Sequence, residues 1–220
     1  MTIKAAFFDM DGTLVNSMAD LATATNFAME KHGFPAKPEE NYAYYAGNGI
    51  YKMIERALEP IVVSEAKLKE IRDDFFDYYE THCTVKTYAY EGVGRLVQTL
   101  KEKGIKVACI TNKVEKIAND IIDHFFGGMD IVYGQIDGMP NKPDPYFTNK
   151  ALEELHIKPE ECVFIGDTDV DMQTAKNSGT IGIGVLWGFR PKEELIANGA
   201  KHIAENAEEI IEIIEKYETV

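Results

Sequence analysis

Two hydrophobic rhythms alternate along this chain. Ile3-Lys4-Ala5-Ala6-Phe7-Phe8 is short, mostly apolar and runs into an Asp-x-Asp-Gly turn, the form of a buried central strand in a parallel sheet. Similar runs recur at residues 105–110, 131–133, 162–165 and 181–186, and segments of helical spacing separate them. Val93, Leu96, Val97 and Leu100 repeat at intervals of three and four, which makes one apolar helix face, and Gly104 ends it. The closing segment 207–217 carries Ile210, Ile211, Ile213 and Ile214 and is expected to pack as a helix on the sheet. Strand and helix in alternation predict an α/β fold with a Rossmann-like parallel sheet covered on both faces.

Residues 16–87 break this rhythm and are helical in pattern throughout. Met18, Leu21, Ala22, Thr25 and Met29 share one face before Gly33 stops the helix. Leu68, Ile71, Phe75, Tyr78 and Tyr79 share another, on a longer helix that begins after Ser64, a suitable N-cap. The predicted organisation is an α/β catalytic core of residues 1–15 and 88–220 with an all-helical domain, residues 16–87, inserted after the first strand. A chain of 220 residues suits one core plus a smaller inserted unit.

Composition narrows the function classes. The chain is 45% hydrophobic and 27% charged, values of ordinary globular proteins, and no apolar run approaches the ~20 residues that cross a bilayer. The N-terminus leads straight into a strand without the pattern of a secretory signal, so a cytoplasmic location is expected. A formal charge of −14, from 37 acidic and 23 basic residues, argues against nucleic acid and anionic membranes as partners. Cys83, Cys109 and Cys162 lack metal-ligand spacing and are expected as buried thiols. The five histidines show no ligand spacing either.

Ligands of open parallel sheets bind at the carboxyl ends of the strands, where the polar residues of this chain form a coherent set. Asp9, Asp11, Gly12 and Thr13 follow the first run; Thr111, Asn112 and Lys113 the second; Lys142 the third; Asp167 and Asp171 the fourth. An Asp-Gly pair after a strand is ordinarily a turn, and a lysine beside a proline is ordinarily a loop residue. Four such elements at successive strand ends suggest chemistry instead. A phosphate monoester and an attacking carboxylate repel each other, and Mg²⁺ held by Asp9 and Asp167, with Lys142 beside it, would cancel that repulsion. Thr111 and Asn112 are positioned to donate to phosphoryl oxygens. Asp9, at the strand end, is the expected nucleophile. Asp11, two residues on, is expected to protonate the leaving oxygen and later to activate water. Gly12 lets the turn backbone near Thr13 approach the phosphate.

Phe8-Asp9-Met10-Asp11-Gly12-Thr13-Leu14, Ile110-Thr111-Asn112-Lys113, Asn141-Lys142-Pro143-Asp144-Pro145 and Gly166-Asp167-Thr168-Asp169-Val170-Asp171 together resemble the motifs of the haloacid dehalogenase superfamily, in the family's order. The resemblance implies a mobile helical cap, and Mg²⁺ held by Asp9, Asp167 and the backbone carbonyl of Asp11, with Asp171 supporting the metal shell. Asp11 favours a phosphatase over a dehalogenase, since carbon–halogen cleavage needs no protonated leaving alcohol. Ala46-Gly47-Asn48-Gly49, Glu55-Arg56-Ala57-Leu58 and Gly184-Val185-Leu186-Trp187-Gly188 resemble phosphoglycolate phosphatases, as does Thr111-Asn112-Lys113. On that resemblance Gly47, Asn48 and Gly49 join Gly12, Thr13, Thr111, Asn112 and Lys113 as candidate substrate contacts. Asn16 and Val114 depart from that subfamily's usual Asp and Pro. The expected partner is a small phosphorylated metabolite, 2-phosphoglycolate first, and the expected assembly a monomer or homodimer. Alternatives are a phosphomutase, a pyrophosphatase or nucleotidase of the same superfamily, and a non-enzymatic phospho-accepting receiver domain.

Overall fold

A computed structural model describes residues 2–47 and 49–217. The chain divides into two compact units, residues 1–15 with 89–220, and residues 16–88. The boundary thus falls at 88/89, one residue beyond the expected position.

The first unit is built on strands β1 (Ala5–Phe8), β4 (Lys106–Val114), β5 (Ile131–Gln135), β6 (Cys162–Gly166), β7 (Ile181–Val185) and β8 (His202–Ala204), in the order β5-β4-β1-β6-β7-β8. Every pairing within this sheet is parallel. β2 (Val15–Asn16) and β3 (Tyr88–Ala89) form a separate two-stranded pair. β1, all four residues buried, lies between β4 and β6. From β1 the sheet grows first through β4 and β5 on one side, then through β6, β7 and β8 on the other. The carboxyl end of β1 is therefore the point where the strand order reverses, which is where open α/β sheets bind their ligands.

Helices α5 (Val93–Glu102), α6 (Glu115–Phe126), α7 (Tyr146–Glu154), α8 (Asp169–Ser178), α9 (Lys192–Ala197) and α10 (Ala207–Lys216) complete this unit. The predicted apolar face of α5 is buried at all four positions, and Ile210, Ile213 and Ile214 of α10 are buried with it. Ala5, Phe7, Ala108, Ile110, Cys162 and Phe164 of three adjacent strands form one core cluster with Phe147, Ala151 and Leu152 of α7. A cluster of this kind holds the strand ends rigidly, because burial of each large apolar side chain stabilises by about 1.5–3 kcal/mol. All three cysteines are buried.

The second unit holds α1 (Met18–Lys31), α2 (Tyr42–Tyr45), α3 (Ile50–Leu58) and α4 (Glu65–Tyr79). The predicted face of α1 is buried at Met18, Leu21, Ala22, Thr25 and Met29. Ser64 caps α4 by accepting a hydrogen bond from the Lys67 amide at 3.2 Å. Ile71, Phe75 and Tyr79 carry the buried stripe of that helix, with Phe75 and Tyr79 stacked at 5.1 Å. The expectation of helix throughout is corrected at the start of this segment, where Asn16 lies in strand β2. Among the described residues no helix is long and apolar enough to cross a membrane.

Candidate active site

Asp9 follows β1 directly, and its amide donates to the Ile165 carbonyl of β6 at 2.9 Å. The side chain is held at the centre of the sheet, with 7% of the residue exposed. Asp167 follows β6 and is fully buried. Asp171 lies in the first turn of α8, where it makes a capping box with Thr168. Its Oδ2 accepts from the Thr168 amide at 3.0 Å and the Thr168 hydroxyl at 2.7 Å. One oxygen from each of Asp9, Asp167 and Asp171 can be chosen so that all lie within 4.8 Å of one another.

Lys142 answers part of this negative charge. Its Nζ lies 2.8 Å from Asp9 Oδ1 and 2.7 Å from Asp171 Oδ1. Asn112 fixes the lysine's main chain: its Oδ1 accepts from the Lys142 amide at 2.8 Å and its Nδ2 donates to the Lys142 carbonyl at 3.1 Å. The Asn112 amide, expected at the substrate, thus positions a cation.

The charge count remains unbalanced. Ionisation of all three carboxylates against one ammonium would leave two negative charges in a buried space. Burial, then the charge of Asp171, pushes the Asp9 carboxyl up to about 6 against the pull of Lys142. Asp167 is raised well above the ordinary range by burial and by both neighbouring aspartates, despite hydrogen bonds from Phe189 and Thr13. Burial opposes the Lys142 ammonium, but Asp171 and Asp9 outweigh it and hold its pKa above the usual lysine value. Unit charges ~4 Å apart interact by roughly 4 kcal/mol at an effective dielectric of 20, so a further cation here would be strongly favoured. The donor set is all oxygen, suited to a hard divalent ion.

Asp167 is gripped from both sides. Thr13 Oγ1 donates to its Oδ1 and the Phe189 amide to its Oδ2, each at 2.9 Å. Gly12 has φ of +91°, and a Cβ there would come within 2.3 Å of Asp167 Oδ2; a Cβ on Gly188 would come within 2.2 Å of Asp167 Cβ. Trp187 Nε1 donates to the Thr13 carbonyl at 3.0 Å, which ties the 187–189 segment to the first motif. In the sequence the only signal of this tie is a tryptophan-glycine pair just after a strand.

Asp11 stands apart from the aspartate cluster. Its carboxylate accepts from Lys113 Nζ at 2.9 and 3.0 Å, and a metal contact through its side chain forms no part of the triad. Thr111 Oγ1 accepts from the Lys113 amide at 3.2 Å. In the helical unit, Gly47 and Gly49 have φ of +104° and +84°, and Gly49 is the N-cap of α3. Asn48, the third candidate of that segment, lies outside the described residues. Arg56 donates to the Tyr45 carbonyl at 2.9 Å, a role inside its own unit.

A family model described as haloacid dehalogenase-like hydrolase matches residues 6–185. The chain belongs to the haloacid dehalogenase-like hydrolase family. Among its relatives, a phosphoglycolate phosphatase of Vibrio parahaemolyticus is 31% identical, with 96% of each chain covered. An N-acetylmuramic acid 6-phosphate phosphatase of Pseudomonas aeruginosa is 28% identical over 98% of this chain and 96% of its own. A solved structure from Lactobacillus delbrueckii subsp. bulgaricus, provisionally assigned as a phosphoglycolate phosphatase, superposes with a TM-score of 0.90 at 33% identity, over 97% of this chain and 99% of that one. As a member of this hydrolase family the chain is an enzyme.

Proposed function

We propose that this enzyme hydrolyses a small-molecule phosphate monoester by transferring the phosphoryl group to Asp9 and then to water. The observation that carries the reading is the buried, under-neutralised cluster of Asp9, Asp167 and Asp171 around Lys142 at the reversal point of the sheet. Such a site repels an anionic ester until a cation completes it. Asp9, Asp167 and the Asp11 carbonyl would hold Mg²⁺, with Asp171 behind them. The bound ion would neutralise phosphoryl charge and draw the ester oxygens towards the nucleophile.

Asp9 attacks phosphorus, the ester P–O bond breaks, and Asp11 delivers a proton to the departing oxygen. Asp11 then takes a proton from water as that water attacks the acyl phosphate, which returns Asp9 as a carboxylate and releases inorganic phosphate. Lys142 stays on Asp9 and the transferring group, while the Thr111 hydroxyl and the backbone near Gly12 and Thr13 donate to phosphoryl oxygens. Asn112 acts through Lys142. The Trp187–Phe189 segment acts through Thr13 and Asp167.

The curated relatives favour a hydrolase over a mutase. They name two different esters at similar identity, so 2-phosphoglycolate is the first substrate to test and not the only one. Steady-state release of phosphate from 2-phosphoglycolate, p-nitrophenyl phosphate and a panel of sugar phosphates, with Mg²⁺ and with excess chelator, tests the reading. Turnover that requires the divalent ion and no bisphosphate activator is expected. Stoichiometric phosphorylation without turnover would favour the receiver-domain alternative, and a bisphosphate requirement the mutase.

A further inference from the structure

We propose that Lys113 is a positioning residue that sets the orientation of the Asp11 carboxylate for proton transfer; this rests on the phosphatase reading above. The resemblance to phosphoglycolate phosphatases places Lys113 among the substrate contacts. The geometry points elsewhere. Phe8 of β1 and Cys109 of β4 are register partners, so Asp11, three residues past one, and Lys113, four past the other, emerge at neighbouring strand ends. Lys113 Nζ straddles both oxygens of Asp11, at 2.9 and 3.0 Å. A carboxylate touched at one oxygen can still swing about its Cα–Cβ and Cβ–Cγ bonds. Contact at both oxygens fixes its plane.

Exposure gives this arrangement a direction. The Lys113 side chain is 5% exposed and that of Asp11 21%. The ammonium is therefore the more deeply buried member of the pair, and the carboxylate the more accessible one. Lys113 is itself held from behind, its amide bonded to Thr111 Oγ1 at 3.2 Å and its backbone part of β4. Lys142 contacts Asp9 and Asp171, and Lys113 contacts Asp11. One answers the charge of the nucleophile cluster, and the other holds the acid–base group.

A double-mutant cycle read on two esters tests this assignment. Asp11→Asn, Lys113→Met and the double variant are compared with wild type by kcat/KM, first on p-nitrophenyl phosphate and then on a simple alkyl phosphate. The alkyl leaving group needs the proton and p-nitrophenolate scarcely does. Each single variant is expected to slow the alkyl ester at least about tenfold more than the aryl ester. The double variant is expected to fall within about threefold of Asp11→Asn, since Lys113 acts only through a carboxylate already lost. Lys113→Arg, which keeps the charge, is expected to recover part of the loss on the alkyl ester. Thermal unfolding of each variant confirms that the fold persists, and Lys113→Gln carries the same cycle should methionine at 113 unfold the protein.

Multiplying effects in the double variant, or equal slowing of both esters by Lys113→Met, would assign Lys113 to the substrate and overturn the proposal. Failure of the wild type to turn over either ester would instead defeat the phosphatase reading on which it stands.

Discussion

Both units bury carboxylates, and they treat them in opposite ways. In the helical unit Asp20 of α1 is 3% exposed, yet donors surround it. It accepts from the Lys86 amide at 3.0 and 2.9 Å, from the Thr87 amide at 2.8 Å and from the Thr87 hydroxyl at 2.8 Å. In the α/β unit Asp9, Asp167 and Asp171 crowd one another around a single bonded lysine, and Asp9 and Asp167 resist ionisation as a result. A buried carboxylate satisfied by backbone and hydroxyl donors contributes to the fold. A cluster left short of positive charge is held at a cost by the rest of the fold, which is the mark of a site awaiting a ligand.

The same chemical change should therefore have opposite consequences in the two places. Asp9→Asn is expected to lower kcat by about a thousandfold or more, since no nucleophile remains, while leaving the fold intact. Without divalent ion at pH 7.5, it should also stabilise the protein, by about 1–3 kcal/mol in urea unfolding. The sign follows from the raised Asp9 pKa: the penalty of ionisation is present in full above about 6 and absent below the ordinary carboxylate value. The stability gain should accordingly vanish near pH 4. Substantial divalent-dependent activity in this variant, or a loss of stability at pH 7.5, would erase the distinction drawn between the two units.

Lys142→Met should lower kcat by roughly 10²–10³-fold and, unlike Asp9→Asn, destabilise the fold, because two buried carboxylates, Asp9 and Asp171, lose their bonded cation. Divalent ion sharpens the contrast further. At a concentration 100 times its Kd, Mg²⁺ should stabilise wild type by about 2.7 kcal/mol, and much of that shift should be missing in Asp167→Asn when melting is followed with and without the ion. The smallest effect belongs to Asp20→Asn, which removes acceptors from buried donors and should cost about 1–3 kcal/mol of stability by denaturant unfolding. A neutral or stabilising result there would mean that the two carboxylate environments are not different in kind.

The fold was legible wherever a strand or helix carried its own apolar signature. β1, β6 and β7 are buried on both faces and read as continuous apolar runs. β4 outruns its apolar run at 105–110, because Thr111, Asn112 and Lys113 have the polarity of loop residues; all three are buried and continue the strand to Val114. β8 escaped notice since its three residues include a partly exposed histidine and isoleucine, too little for a periodicity. The site residues were nameable as the polar positions that follow apolar runs. Their partners were not. Asn112 meets Lys142 across 30 residues, and Trp187 meets Thr13 across 174, pairings that exist only once the sheet has ordered its strands.

The grip on Asp167 has a bearing on how this protein tolerates change. Gly12 and Gly188 come from opposite ends of the chain, and a single methyl group at either would collide with the same side chain. In a saturation library both columns should be nearly empty, alanine included, although neither glycine has a side chain to take part in any reaction. A catalogue of essential positions drawn up from reactive groups alone would overlook them, since what they contribute is vacant space.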